Sequence, residues 1–321
     1  MFGTMEWQIQ YLLLLQQLRD ITHGAFDNVF LNITILGELV IPLTFIAIVY
    51  WGINKKKGTF ILFNFALMLY INVFLKMTAC IKRPWIINPQ VCPLKEALPM
   101  ADGYSFPSGH TAGAISCWGS AAYKWWHNKF LRNTFIIIVL LVAFSRNYVG
   151  VHTPQDVIVS IIVGCLLILG TDKLLKFIES KSNRDIIFYI TALVMTALLL
   201  LYLHIKCCTQ METYNSQTDI INPLSMKHGV YYKLSFMLGT LTGWILEKRF
   251  VNFEITNNTK KKAISVIIGL IGLYAIMFLF KDICLMFFVK HIAYAIFTFV
   301  TAIYITLIYP MVLKCLRRIR L

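Results

Sequence analysis

Acidic side chains are scarce in this chain: Asp and Glu number 15 against 30 Lys and Arg, and charged residues of both signs make up only 14% of 321. A soluble domain carries about 25% charged residues, so the shortage excludes an ordinary soluble fold. Eight cysteines are present, but no CxxC pair and no Cys/His spacing suited to zinc, which removes the redox-motif and zinc-finger readings. Internal repeats and low-complexity tracts are missing too, so no repeat architecture is expected. What is abundant is apolar: 58% hydrophobic and 14% aromatic residues, with a mean hydropathy of +0.68.

That composition describes an integral membrane protein. Crossing ~30 Å of hydrocarbon as a helix takes about 17 to 25 residues. Apolar runs of that order lie near 35–53, 59–76, 108–125, 133–149, 156–176, 186–205, 229–247, 263–280 and 291–313. The runs are too long and too unalternating for barrel strands, and in lipid each backbone polar group must bond within its own segment. The expected fold is therefore all-α, a polytopic helical membrane bundle of about nine transmembrane helices.

A formal net charge of +15 suggests nucleic acid at first sight, but the basic residues fall between the spans, where a membrane protein concentrates them. Nineteen of the 30 lie on one side: Lys55 to Lys57, the 124–132 and 173–184 loops, Lys248, Arg249, Lys260 to Lys262, and the tail from Lys314. The positive-inside rule makes that side cytoplasmic, with the N-terminus outside and the C-terminus cytoplasmic. Residues 1–34, with Glu6, Arg19, Asp20 and His23 dispersed among apolar positions, lack the charge and cleavage site of a signal peptide and read as an interfacial amphipathic segment. Cys80 and Cys92 fall in an outward loop. A bridge between them is open if that compartment is oxidising, and free thiols are the favoured reading.

The unusual polar residues gather at the outward face. Lys76 ends the second span, and "KMTACIKRP" places Arg83 and Pro84 just beyond it. "FPSGHTAG" opens the third span with Ser108 as N-cap and Gly109 and His110 in the first turn. "SRNYVGVHTPQD" closes the fourth span with Ser145 and Arg146 and opens the fifth, where Thr153, Pro154 and Asp156 resemble N-cap, N1 and N3. Three cations, Lys76, Arg83 and Arg146, with two helix N-termini make a site for a phosphate-sized anion. His110 and His152 supply a nucleophile and a proton donor. Asp156, four residues after His152, stands where a carboxylate accepts a ring N–H. His127, His204, His228 and His291 have no such company, and Gly239 with Gly243 reads as a helix-packing notch.

These three blocks resemble the signature of the type 2 phosphatidic acid phosphatase / vanadium haloperoxidase superfamily: Lys, six residues, Arg-Pro; Pro-Ser-Gly-His; Ser-Arg, five residues, His, three residues, Asp. Every position is matched, over residues 76 to 156. The layout also resembles the glucose-6-phosphatase and sphingosine-phosphate phosphatase branches, although "ADGYSFPSGHT" reads more like bacterial members. The resemblance implies a phosphatase core over 35–180, with one N-terminal helix of the family core shortened or replaced by the 1–34 segment. A C-terminal transmembrane extension over 181–321 carries no recognised motif.

The same resemblance implies His152 as the nucleophile forming a phosphohistidine, Asp156 as its orienting carboxylate and His110 as the acid and later the base. Lys76, Arg83, Ser108, Gly109, Ser145 and Arg146 would bind the phosphate oxygens. No cofactor and no metal are expected, because Glu96, Asp102, Glu212 and Asp219 sit at no spacing that suits a two-metal clamp. Expected partners are a lipid phosphate substrate and membrane lipids, not nucleic acid. The function classes left open are hydrolysis of a lipid phosphate monoester or pyrophosphate, phosphotransfer to another alcohol, and headgroup binding without catalysis. A sugar-phosphate substrate is a variant of the first, and haloperoxidase activity is disfavoured because such enzymes are expected to be soluble. The expected membrane is a bacterial plasma membrane with the site facing outside, or an endoplasmic reticulum with a luminal site.

Overall fold

The computed structural model describes residues 2–101, 103–181, 183–212 and 226–318. Asp102, Asp219 and Arg320 lie outside the described residues, as do the side chains of Cys207, Cys208, Glu212, His228, Arg317 and Arg318. Among the described residues every regular element is helical: α1 (Phe2–Ile21), α2 (Asp27–Gly37), α3 (Val40–Ile53), α4 (Lys55–Ala79), the short α5 (Pro84–Ile87), α6 (109–124), α7 (Lys129–Tyr148), α8 (Pro154–Glu179), α9 (Arg184–Glu212), α10 (227–251), α11 (Thr259–Phe287) and α12 (Lys290–Leu316).

Among the described residues six helices are long and apolar enough to cross a membrane, beginning at Lys55, Lys129, Pro154, Arg184, Thr259 and Lys290. A seventh is reached if α2 and α3, bent by 51° at their junction, count as one span. The sequence predicts nine, and the difference falls on three runs with physical reasons. The run 35–53 begins in the last turn of α2 and crosses the bend. The run 108–125 yields a helix of residues 109–124, short of the length that spans hydrocarbon unaided. The run 229–247 is diluted by Lys233, Gly239, Thr240, Thr242 and Gly243. Elsewhere the lipid-facing pattern is plain: Ile158, Ile162, Leu166 and Leu169 of α8 are all at least half exposed at helical spacing, a stripe that water would not tolerate on a monomeric soluble surface.

The chain divides into two compact units. The first comprises Met1–Pro42, Ile71–Ile168 and Ile205–Met226. Within it α7 packs against α1, α2 and α6. The α1 helix is held by polar contacts: Gln8 and Gln155 exchange hydrogen bonds, Gln155 through its backbone N–H at 3.1 Å, and Arg19 donates to the Cys92 carbonyl at 2.6 Å. Cys80 and Cys92 are not bridged to each other. Two glycines matter to the site. Gly37 lies so close to the His110 carbonyl that any Cβ would collide with it, and Gly150, at φ +79°, makes the left-handed turn between α7 and α8.

The second unit comprises Leu43–Tyr70, Leu169–His204 and Lys227–Leu321. Its main contact is α10 on α12, where added Cβ atoms at Gly239 and Gly243 would strike Phe299 and Thr306, so the two glycines form the notch that small residues allow between membrane helices. Glu247, fully buried, takes an ion pair from Lys55 at 2.7 Å and a backbone N–H from Phe253 at 2.8 Å.

Candidate active site

The three sequence blocks meet inside the first unit, and each is placed by its local chain. Lys76 stands in the last turn of α4, buried, and donates to the Tyr104 and Ser105 carbonyls at 2.6 and 3.2 Å. Arg83 precedes Pro84, which holds it extended at the start of α5. It donates through Nε to the Gly103 carbonyl at 3.0 Å and through Nη1 to the Val151 carbonyl at 2.9 Å. The two cations thus fasten the 103–105 segment and the 149–153 loop.

Ser108 caps α6, its Oγ accepting from the Thr111 N–H at 3.4 Å and the Thr111 hydroxyl at 3.0 Å. Gly109 follows, and a Cβ built there meets nothing within 4 Å, so space remains in front of the first turn. Ser145 is placed differently from expectation: its hydroxyl donates to the Val142 carbonyl of its own helix at 2.7 Å. Its neighbour Arg146 is fully buried and donates through Nη1 to the Thr34 hydroxyl at 2.7 Å. Nε and Nη2 of Arg146 are buried with no hydrogen-bond partner among the described residues. A guanidinium left with two unmet donors is a costly arrangement unless an anion arrives.

The His152 ring lies between a carboxylate and a cation. Nδ1 is 3.2 Å from Asp156 Oδ2, and Nε2 is 3.0 Å from Arg83 Nη1. A guanidinium only donates, so Nε2 must be the acceptor and Nδ1 must carry the hydrogen. This tautomer leaves the Nε2 lone pair on the cationic side of the ring. Burial, with Arg83, Arg146 and Lys76 close by, holds the imidazole well below its usual pKa and therefore neutral. Asp156 is fixed in turn: the same Oδ2 accepts the Thr153 backbone N–H at 2.9 Å and the Ser105 hydroxyl at 2.5 Å. One carboxylate both caps α8 and orients the imidazole.

His110, at the start of α6, lies with Nε2 3.4 Å from Glu38 Oε1. Ser105, Thr34 and Glu38 escape the sequence reading. Ser105 stands two residues before Pro107 in an already suspicious stretch, and Glu38 is a carboxylate inside an apolar run, a signal in itself. Thr34 offers none. His127 lies in the turn between α6 and α7, and His291 packs against the Tyr231 ring at 5.3 Å. Ser105→Ala is expected to lower kcat by about 10-fold or more, the worth of one hydrogen bond to a charged group, with KM little changed. Steady-state kinetics check it, and a loss confined to KM would remove Ser105 from the positioning of Asp156.

Two family models match the chain: the PAP2 superfamily over residues 57–178, and the PAP2 superfamily phosphatase transmembrane extension over 231–318, a stretch in which the sequence offers no motif of its own. The chain is 27% identical over 164 residues to undecaprenyl-diphosphatase BcrC of Bacillus subtilis (strain 168), covering 49% of this chain and 81% of that protein. It is 28% identical over 166 residues to sphingosine-1-phosphate phosphatase 2 of Homo sapiens, covering 50% of this chain but only 40% of that protein. A Sulfolobus acidocaldarius undecaprenyl-diphosphatase is 31% identical over 125 residues, 39% of this chain and 57% of that protein. No solved structure matches the chain.

Proposed function

The chain belongs to the PAP2 superfamily, and from that premise we propose that it hydrolyses a lipid phosphate monoester or pyrophosphate through a phosphohistidine intermediate. The observation that carries the proposal is Arg146, fully buried with two donors unmet, in the same cluster as a neutral, correctly tautomerised His152. A phosphoryl group seated on Arg146 would satisfy those donors and meet the cations that surround the ring.

In the proposed cycle His152 Nε2 attacks phosphorus in line, releasing its contact with Arg83 to the incoming phosphate. The P–N bond forms as the bond to the leaving oxygen breaks. Asp156 keeps the Nδ1 hydrogen and stabilises the positive ring. His110 gives its proton to the leaving alkoxide or phosphate. It then takes a proton from the water that cleaves the P–N bond, and inorganic phosphate departs. Lys76, Arg83 and Arg146, the N–H groups of the Ser108–His110 turn, and Ser145 after a rotamer change hold the equatorial oxygens, the work a metal does elsewhere. The relatives named for undecaprenyl diphosphate and sphingosine phosphate support a substrate with a phosphorylated headgroup on a long apolar chain.

The proposal includes nine passes, with the 109–124 and 227–251 helices and the 35–53 run crossing in addition to the six long helices. It places the N-terminus and the site outside, the C-terminus in the cytoplasm, an interfacial 1–34 segment, a 35–180 core and a 181–321 extension. One experiment tests the reading: phosphate release by sealed, uniformly oriented vesicles from a panel of lipid phosphates and diphosphates with EDTA present. Release is expected only when substrate is added to the face opposite to that where a cysteine placed at Lys56 or Lys261 is labelled. Release that requires magnesium, or an added alcohol acceptor, would replace the metal-free hydrolase with another reaction.

A further inference from the structure

His110 has a partner that none of the three motif blocks supplies. Glu38 precedes the first family match, which begins at residue 57. Its carboxylate Oε1 lies 3.4 Å from His110 Nε2, with the histidine about one-eighth and the glutamate one-quarter exposed. The pair therefore sits at the rim of the site, while His152 and Asp156 are almost fully buried.

The chain is shaped to deliver that carboxylate. Glu38 occupies the break between α2 and α3, where the helix axis turns by 51°. Its own backbone is extended, at φ −82° and ψ 165°. Immediately before it, Gly37 packs against the His110 carbonyl at a separation that no side chain would permit. The Trp118 indole N–H holds the Leu36 carbonyl at 2.8 Å. Four residues back, Thr34 accepts from Arg146 at 2.7 Å. One broken element thus touches two site residues, with Thr34 on the phosphate-binding guanidinium and Glu38 on the second histidine.

We propose that Glu38 is a positioning residue for His110, accepting its Nε2–H so that Nδ1 carries the proton delivered to the leaving oxygen. The inference rests on the reading of His110 as the general acid. It gives the site two imidazole–carboxylate pairs, Asp156 with His152 and Glu38 with His110. Electrostatics supply the reason for the second pair. Four charged or titratable groups face His110: Arg146 from α7, Arg83 from the segment before α5, His152 from the 149–153 loop, and Glu38. The two guanidinium groups repel an imidazolium, and Glu38 is the anion that opposes them in part. The same anion weakens phosphate binding, so evolution of a pure binding site would have no use for it there.

Those opposing effects define the test. Glu38→Gln keeps the shape and removes the charge. On an alkyl phosphate, kcat is expected to fall about 10- to 100-fold, part of the ~10² to 10⁴ that general acid help contributes. On p-nitrophenyl phosphate, phosphoenzyme formation is expected to change less than about threefold, because phenolate leaves without a proton. KM is expected to hold or fall. Glu38→Asp, which keeps the charge on a shorter arm, should recover part of the alkyl activity and covers the case in which Glu38→Gln does not fold. An equal loss on both substrates with KM raised, or Glu38→Asp no better than Glu38→Gln, overturns the inference while wild-type turnover leaves the phosphatase reading standing. Wild-type protein that releases phosphate from neither substrate defeats the reading and the inference together.

Discussion

His152→Ala is expected to abolish phosphate release from every substrate, by about 10⁴-fold or more, whatever the leaving group, because no covalent intermediate can form. His110→Ala is expected to divide substrates instead. On a lipid phosphate monoester, whose alkoxide leaves poorly, the loss should reach the ~10² to 10⁴ typical of general acid help. On p-nitrophenyl phosphate the burst of phosphoenzyme formation should survive, while its hydrolysis stays slow for want of a base. Acid-labile, base-stable label from a phosphorus-32 substrate should accumulate in His110→Ala and be absent from His152→Ala. The reverse pattern would exchange the two roles. The pH dependence carries a sign as well. In the proposed cycle only neutral His152 attacks, and burial with the Arg83, Arg146 and Lys76 cations holds its pKa well below the usual value. The acid limb of kcat/KM should therefore lie below about 6.5, and removing one of those cations, as in Arg83→Gln, should move that limb upward.

What the sequence makes legible is local. Block spacing brings Lys76, Arg83, Ser108, His110, Arg146, His152 and Asp156 into one unit because each block flanks a helix end, and a helix end fixes its own cap. Ser108 on Thr111 and Asp156 on Thr153 are short-range bonds that a reader of single sequences can write down. What crosses from a distant segment is hidden. Thr34 meets Arg146 across 112 residues, and Glu38 meets His110 across 72. Both depend on a helix breaking inside an apolar run, and hydropathy averages over such a break. Windowed hydropathy likewise marks 108–125 as a crossing without fixing its ends, and the helix that forms there runs from 109 to 124. The Ser145 rotamer is hidden for another reason, since a helical serine has its own i−3 carbonyl within reach and bonds it here.

Arg146→Met should separate stability from function, and in opposite directions. The wild-type guanidinium is fully buried with Nη1 on Thr34 and two donors unmet. Each buried donor left unmade costs about 1–3 kcal/mol, more on a charged group. Replacing an unsatisfied buried cation by an apolar side chain of similar length is often neutral or stabilising. The phosphate-free variant is therefore expected to melt at or above the wild-type temperature in detergent, although it loses the Thr34 bond, while turnover falls about 10³-fold or more. Orthovanadate, which mimics the trigonal bipyramidal phosphorus, should raise the wild-type melting temperature. At 100 times its Kd it contributes about 2.7 kcal/mol to a state that binds it. Arg146→Met should show no such rise. Arg146→Lys should show a small one with turnover still low, because an ammonium keeps the charge but not the two-pronged contact. If Arg146→Met instead melts well below wild type, and vanadate leaves wild type unmoved, the residue serves to hold α7 to α2 through Thr34. In that case the unmet donors are filled by something other than phosphate.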